Sequence, residues 1–585
     1  MSGLLHSEGG LQGLFSPAES GSSSEEAPSG LEPLLEENLC TLLGDPAGER
    51  LIERILLADS GKHVIIGGPN PPLYRFRGRL REFTVREREL ESSVQEVEDG
   101  ETVFLFGLSL GEQAAHILRT RPNCKVIAWD RDPWLMRLAL TGQDYKYSLG
   151  TGRLTLALGA DLVDHLPKLG GFRVLFHPVL RDFYEDELRL AEEAMRGEYE
   201  EAGRRWVGLG MGGVVYNELS AAVRAEGYSV FPLEVRRWDP SETRRALERL
   251  RPERVITINY DSAVAAICHE LEVPLVAWEV DPKTDRPPAP PSGGEDFRVL
   301  TVHPRDVDEL RSAGFSSVDY LPIGVDTDKR HPVELSDVER SRFAARVCFV
   351  GSSLTDRARR FKRLFLQLHA SFDCASEERF DETSERLERV LAAERADYAV
   401  YDSDQLLEEH FGTFLEAARR NGTPDDPKKW VAEIVASQKR VAYVTALSDF
   451  GIHVWGDDRW REVAANVSGL HYRGLAEQGH ELTCVYSGAE VHVDVNRIYQ
   501  PEAIPMRVFN VLACGGFLIA EHSDSIEEAF AVGEEIETYR TIDELESKVA
   551  HYLANPGEAR AIAERGMEAV RNRHTMRTRV KSLLA

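Results

Sequence analysis

Cysteine is scarce in this chain: seven occur in 585 residues, and no two form a CxxC pair. Cys40, Cys124, Cys268, Cys348, Cys374, Cys484 and Cys514 are too dispersed to suggest a zinc ribbon or a redox dithiol, and reduced thiols in the cytosol are the expectation. Excess positive charge is also lacking. The 70 Lys and Arg face 98 Asp and Glu, a net charge of −28, which argues against non-specific binding to nucleic acid. No apolar run is long enough to cross a bilayer, and the opening MSGLLHSEGG has neither the basic start nor the apolar stretch of a secretory signal. A cytoplasmic location follows as the expectation. HExxH and a clustered His/Cys set are missing from the sequence, so no metal is expected. A Ser-His-Asp hydrolase is not expected either.

What is present reads as soluble α/β structure. Residues 16–30 (SPAESGSSSEEAPSG) are rich in Ser, Glu, Pro and Gly, and residues 1–30 are expected to be disordered. Beyond them, short apolar runs alternate with amphipathic stretches, the pattern of parallel sheets wound with helices. LYRFRGRLREFTV (73–85) reads as a hairpin. ETVFLFG, KVIAWD, RLTLALG and FRVLFHP supply strands for a first Rossmann-like domain, placed at 31–202. RWVGLG, RVITINY, PLVAWEV, RVLTVHP and VDYLPIGV make a second at 203–335, completed by a C-terminal helix at 566–585. ARVCFVG, GIHVWG, LHYRG, VHVDV and GGFLIAE make a third at 340–565, with a helical insertion at about 376–446. The expected fold class is α/β with three Rossmann-like domains, the last two facing each other across a cleft.

In open sheets of this kind, ligands bind beyond the C-terminal ends of the strands. PMRVFNVLACGGFLIAEHSD (505–524) reads as a helix with Val508, Val511 and Leu512 on its inner face, a cap at Cys514-Gly515-Gly516, and a buried strand. Helix, glycine cap and strand recur throughout α/β proteins. Arg507 stands out, because a guanidinium near strand ends suits the bidentate grip of a phosphate. GLGMGG (208–213), with Gly210, Gly212 and Gly213, follows a strand and opens a helix. Close backbone approach to an acceptor and tight strand–helix packing both explain it. Asp281 ends a strand and is the candidate general base for an acceptor hydroxyl, with a solvated turn aspartate as the other reading. The Pro-rich segment 281–296 is either a lid or linker slack. In the first domain, Gly107 and Gly111 flank a strand-to-helix turn. Asp130 ends the next strand, 23 residues after Gly107, a separation at which an acid reaches a ribose. Asp130-Arg131-Asp132 is also a DxD triplet, a spacing that elsewhere chelates a divalent ion, but such triplets are frequent in an acid-rich chain.

MRVFNVLACGGFLIAEHSDSIEEAF resembles the C-terminal signature of CgeB-like glycosyltransferases, a branch of the GT-B sugar transferases. Their pattern runs Arg-x-Phe-Glu, Ala-x-Gly-Gly, a strand and an acidic turn. VDYLPIGVDTDKRHP, VCFVGSS, VYSGAEVHVDVNR, RVITINYDSAVAAICHELEVPLVAWEVDP and the closing YLANPGEARAIAERGMEAVRNRHTMRTRV extend the likeness over about 205–585. The resemblance implies that Gly351 and Ser352 bring backbone N–H groups to a diphosphate. It implies that His453, Trp455 and Gly456 border the base, and that Tyr486 and Asn496 line the same pocket. Arg507, ahead of Gly515 and Gly516, would neutralise charge on the leaving diphosphate. The chain departs from the pattern at Asn510, where the family commonly has glutamate, and an uncharged amide holds a ribose diol less strongly. Glu502, eight positions earlier, stands where many retaining relatives place a first glutamate.

The first domain resembles an S-adenosylmethionine-methyltransferase core and the N-terminal domain of flagellin-modifying Maf-type proteins. FLFGLSLG lacks the acid and the middle glycine of the methyltransferase pattern, which points to a scaffold. The expected function is metal-independent transfer of a sugar from a nucleotide-diphosphate donor to a hydroxyl of a surface glycan, protein or small molecule. The nucleotide sugar is a co-substrate, and no tightly bound cofactor is expected. A non-catalytic nucleotide-sugar-binding or scaffold protein is the alternative that Asn510 favours. A methyltransferase working through residues 100–200 is a further one.

Overall fold

The computed structural model describes residues 33–58, 64–65, 73–76, 79–82, 87–199, 203–213, 215–235, 238–281, 290, 297–373, 377–398, 401–423 and 426–585. The stretch expected to be disordered, 1–30, lies outside these residues, as does nearly all of the Pro-rich segment. Among the described residues no helix is long and apolar enough to cross a membrane. The chain divides into two compact units. One comprises Met1–Met211, Tyr228–Val255 and Glu270–Val273; the other comprises Gly212–Gly227, Ile256–His269 and Pro274–Ala585.

Strands β1 (Val64–Ile65), β2 (Leu73–Phe76) and β3 (Arg79–Glu82) pair antiparallel in that order, so the alternating segment is a hairpin. Three parallel sheets follow. The first contains β4 (Thr102–Phe106), β5 (Lys125–Asp130), β6 (Leu154–Leu158) and β7 (Arg173–Phe176), in the order β6-β5-β4-β7. Its strands are nearly continuous apolar runs, as burial on both faces requires. Asp132 caps the helix Pro133–Gly142 by accepting from Trp134 N–H, with proline at the first helical position.

The second sheet contains β8 (Trp206–Gly210), β9 (Ser229–Leu233), β10 (Arg254–Ile258), β11 (Leu275–Glu279), β12 (Phe297–Thr301) and β13 (Ser317–Tyr320), ordered β13-β12-β11-β10-β8-β9. The third contains β14 (Ala345–Val350), β15 (Ile452–Trp455), β16 (His471–Tyr472), β17 (Ala489–Val493), β18 (Leu518–Glu521) and β19 (Glu537–Tyr539), ordered β16-β15-β14-β17-β18-β19 with every ladder parallel. Its order reverses between β14 and β17, the place where Rossmann-like sheets open a crevice.

Among the described residues, four α-helices lie between β14 and β15: Thr355–Asp373, Glu377–Ala396, Ser403–Arg420 and Pro427–Ala446. They enclose a core of their own that includes Phe365, Leu387, Leu407, Phe411 and Val431. The helices from Glu377 to Ala446 span the stretch expected as a helical insertion, and Thr355–Asp373 shares their core.

His492 on β17 is 2% exposed, and its Nε2 lies 2.9 Å from the carbonyl of Tyr486. Burial pushes its imidazole down to about 4. A depressed histidine contributes stability that is complete above its free value near 6.5 and is lost as pH falls through about 4. Over that window wild type should lose on the order of 2–3 kcal/mol more unfolding free energy than His492→Gln, which keeps a donor but cannot take the charge. Urea titrations at pH 7 and pH 4 on both proteins measure the difference.

Candidate functional site

Charge collects where the third sheet reverses. Arg507 stands in the first turn of the helix Met506–Ala513, and its side chain is only 16% exposed. Its Nη1 donates to the carbonyl of Val350, the last residue of β14, at 2.5 Å. Its Nε donates to Asp494 Oδ1 at 2.6 Å, and Nη2 donates to the same oxygen. Asp494 follows β17 directly and is buried. Arg440, on the helix Pro427–Ala446, makes a second tie between the same strand exits. Its Nη1 donates to Ser352 O at 2.9 Å, and its Nη2 to Val495 O at 3.1 Å. Both guanidiniums lie near the ring of Phe349, at 5.2 Å for Arg507 and 5.9 Å for Arg440.

Burial, and then the charge of Arg507, push the Arg440 guanidinium down to about 10, so it remains cationic at neutral pH. Its Nε is buried without a hydrogen-bond partner among the described residues. Asp494 is bonded to Arg507 and acts on Arg440 through its charge. Glu433, which also acts on Arg440, is engaged by Arg357 at 3.3 Å and by the Tyr499 hydroxyl at 2.9 Å. Two desolvated guanidiniums at these strand exits favour an anion there.

Missing side chains make this approach possible. A Cβ on Gly351 would stand 2.8 Å from Arg507 Nη1, and one on Gly456 would stand 2.2 Å from the carbonyl oxygen of Gly351. Trp460, fully buried, donates its Nε1 to that carbonyl at 2.8 Å and packs edge-on to Phe349. The turn after β14 is further held by Asp457. The Asp457 carboxylate accepts from Ser352 Oγ at 2.5 Å, Ser353 N–H at 2.6 Å and Ser353 Oγ at 2.8 Å. Gly351 N–H donates to Trp455 O at 2.9 Å. Two of the turn's N–H groups are thus engaged within the protein, with Asp457 acting as an internal anion.

The remaining residues of the expected donor pocket divide. Asn510, one helical turn beyond Arg507 on the same helix, is 8% exposed, and its amide has no hydrogen-bond partner among the described residues. Glu502 forms an ion pair with Arg305. Asn496 organises its own loop, donating Nδ2 to Gln500 O at 3.0 Å and Ala503 O at 2.9 Å. Tyr486 is 3% exposed and packs edge-on against His492 in the core. Gly515, at φ +73°, ends the helix, and a Cβ on Gly516 would meet Tyr486 O at 2.8 Å. His453 is the second residue of β15, so it lies at the strand's entry, away from the exits that carry Arg507 and Asp457. Arg473 holds its ring at 3.2 Å, and burial followed by the Arg473 charge pushes the imidazole down to about 4.

Asp281 is exposed just beyond β11 and accepts from Asn259 Nδ2 at 2.8 Å, while Asn259 Oδ1 receives Asp281 N–H at 3.1 Å. Asn259 adopts φ +64° to make this double contact. After β8, Gly212 and Gly213 take φ of +123° and +76°, and a Cβ on Gly213 would stand 2.7 Å from Ile258. Gly210 is the last residue of β8 and is buried. Sequence reasoning passed over Asp494, Asp457 and Arg440. Asp494 lay inside the quoted strand exit VHVDVNR, whereas Arg440 stands on an inserted helix with no local signal.

Comparison with known proteins bears on the same region. Residues 438–585 match the family model described as glycosyl transferase-like. That segment carries β15 to β19, Arg440, Asp494 and Arg507. No curated protein matches the chain. Among solved structures, a glycosyltransferase from Rickettsia africae is similar over 66% of this chain and 97% of its own, at 10% identity and a TM-score of 0.41. Sucrose-phosphate synthase from Thermosynechococcus elongatus is similar over 65% and 98%, at 12% identity and a TM-score of 0.37. HepE from Anabaena, solved with UDP and glucose, is similar over 83% and 98%, at 8% identity and a TM-score of 0.31.

The first domain's strand-end residues are arranged differently. Asp130 is fully buried and accepts from Ser109 N–H at 3.0 Å, Asp132 N–H at 3.1 Å and the Tyr184 hydroxyl at 2.6 Å. Burial raises its carboxyl to about 6. Gly111 accepts from the Tyr145 hydroxyl at 2.5 Å, and Gly107 backs directly onto His177 and Leu180. Three hydrogen bonds to Asp130 are thus supplied by the protein itself, and Asp132 serves as a helix cap. The turn reads Gly107-Leu108-Ser109-Leu110-Gly111, a Gly-x-Ser-x-Gly spacing that sequence reasoning overlooked. Ser109 has φ +54°, but it is 1% exposed and its Oγ has no hydrogen-bond partner among the described residues, so no base activates it as a nucleophile.

Proposed function

We propose that this chain is a metal-independent glycosyltransferase of the GT-B, CgeB-like kind, which takes a sugar from a nucleotide diphosphate and passes it to an acceptor hydroxyl. The observation that carries the reading is the pair of buried guanidiniums bridging the β14 and β17 exits, inside the segment that matches the glycosyl transferase-like model. In the transfer, the bond from the anomeric carbon to the diphosphate oxygen breaks and a bond to the acceptor oxygen forms. The leaving diphosphate gains charge as it departs. Arg507, at the positive end of the helix Met506–Ala513, stabilises that charge where water is excluded. Asp281, held by Asn259, takes the acceptor proton. Asp457 keeps the Gly351–Ser353 turn in shape beside the diphosphate, so the turn contributes position more than N–H donors. A surface glycan or protein is the acceptor class we favour.

Asn510, one turn from Arg507, offers an amide with no hydrogen-bond partner among the described residues, suited to a donor hydroxyl. Asn510→Ala should weaken nucleoside-diphosphate binding about 3- to 10-fold, the worth of roughly one neutral hydrogen bond, and leave the thermal midpoint within about a degree. Equilibrium dialysis and differential scanning calorimetry test both halves. Unchanged affinity would remove Asn510 from the site. The reading as a whole is tested by incubating the chain with a panel of nucleotide sugars and assaying release of nucleoside diphosphate. Retention of a donor with no release on any acceptor would favour a binding protein.

A further inference from the structure

Away from the switch point, three side chains of different chemistry converge. His480 and Cys484 stand one helical turn apart on the helix His480–Gly488, and Glu339 comes from the helix Asp337–Phe343. His480 Nε2 lies 2.7 Å from Glu339 Oε1, Cys484 Sγ lies 3.4 Å from His480 Nε2, and Cys484 Sγ lies 3.7 Å from Glu339 Oε1. The other oxygen of Glu339 is fixed: Ser336 donates to it through N–H at 2.9 Å and through Oγ at 2.6 Å. That grip aims Oε1 at the imidazole and the thiol. Among the described residues this is the group of His, Cys and acidic side chains whose donor atoms gather closely enough to share one ion.

We propose that Glu339, His480 and Cys484 form a binding site for a divalent zinc-class ion, with water as the fourth ligand, which locks the helix Asp337–Phe343 to the helix His480–Gly488. One thiolate, one imidazole and one carboxylate are the ligand types zinc takes. Its bonds of about 2.0–2.3 Å in a tetrahedron set donor separations of roughly 3.3–3.6 Å. The sulfur–imidazole separation of 3.4 Å matches, and the sulfur–carboxylate separation of 3.7 Å is slightly longer. The imidazole–carboxylate edge is closed by a direct hydrogen bond, and it need open by only about half an ångström to admit the ion. Ser336 is the outer-shell partner that such carboxylate ligands use. His480, 68% exposed in its side chain, leaves an entry path on the solvent side. The site's role is structural and does not depend on the sugar-transfer reading. No local signal beyond a His-x-x-x-Cys spacing in HELTC marks it in the sequence, because the third ligand is 141 residues away.

The test uses the full-length chain, stripped with a chelator and then titrated with zinc or cobalt(II). About one zinc per chain should survive desalting. The cobalt form should show a thiolate charge-transfer band in the near ultraviolet with intense tetrahedral visible bands. Cys484→Ser should lose that band, and His480→Ala should lower zinc affinity more than tenfold. Glu339→Gln, at a partly exposed position, provides a variant less prone to misfolding and should also weaken zinc at least tenfold. Wild-type protein that retains no zinc, a cobalt spectrum without the thiolate band, or Cys484→Ser that keeps stoichiometric zinc would each overturn the assignment.

Discussion

Replacing Arg507 with methionine is expected to abolish nucleoside-diphosphate binding and to lower the unfolding free energy by roughly 3–5 kcal/mol. The size follows from what the substitution leaves behind. Asp494 is 1% exposed, and the guanidinium is bonded to it through Nε and Nη2. Without that partner, a carboxylate stays buried and uncompensated, and the carbonyl of Val350 loses a donor. A merely structural role for Arg507 would couple the two losses. The double variant Arg507→Met with Asp494→Leu separates them. Removing both charges together should restore most of the stability, since a buried pair is often replaceable by apolar residues. It should not restore binding, because the anion's cation is gone. Chemical denaturation and isothermal calorimetry on wild type, single and double variants give the answer. A double variant that binds as wild type does would remove Arg507 from the chemistry.

The second large effect is expected at Trp460. Trp460→Ala should cost roughly 3–5 kcal/mol, because a fully buried indole is lost from contact with Phe349 and a cavity opens behind β14. Trp460→Phe should cost about 1–3 kcal/mol, since the ring survives and the hydrogen bond to Gly351 O does not. The functional consequence distinguishes this residue from ordinary core. Trp460 holds the carbonyl of Gly351, and the backbone at Gly351 lies against Arg507. Trp460→Phe should therefore weaken nucleotide binding while the protein remains folded at 25 °C. Affinity equal to wild type in a folded Trp460→Phe protein would show that the turn keeps its position without the indole.

Much of this architecture was legible before any coordinates. Apolar runs such as FLF, VIA and VCFV marked buried parallel strands, because strand burial acts through near neighbours. Arg507 was legible as a guanidinium placed near the expected strand ends, where it suits a phosphate. The rest of the site depends on distant pairings. Asp494 and Arg440 acquire their roles only when β14 and β17 come to lie side by side with an inserted helix beside them, 157 residues separating Arg507 from Val350. His453, placed beside the base by the resemblance, is the second residue of β15. Tyr486, in the apolar stretch LTCVY, follows the core instead of the crevice.

The most direct test of the account is a crystal structure of the full-length chain with the nucleoside diphosphate that it binds most tightly. The account predicts the diphosphate between the exits of β14 and β17, with a phosphate oxygen within hydrogen-bond distance of the Arg507 guanidinium and of the first turn of the helix Met506–Ala513. A diphosphate bound elsewhere, with Arg507 still engaged by Asp494 and Val350 alone, would contradict it.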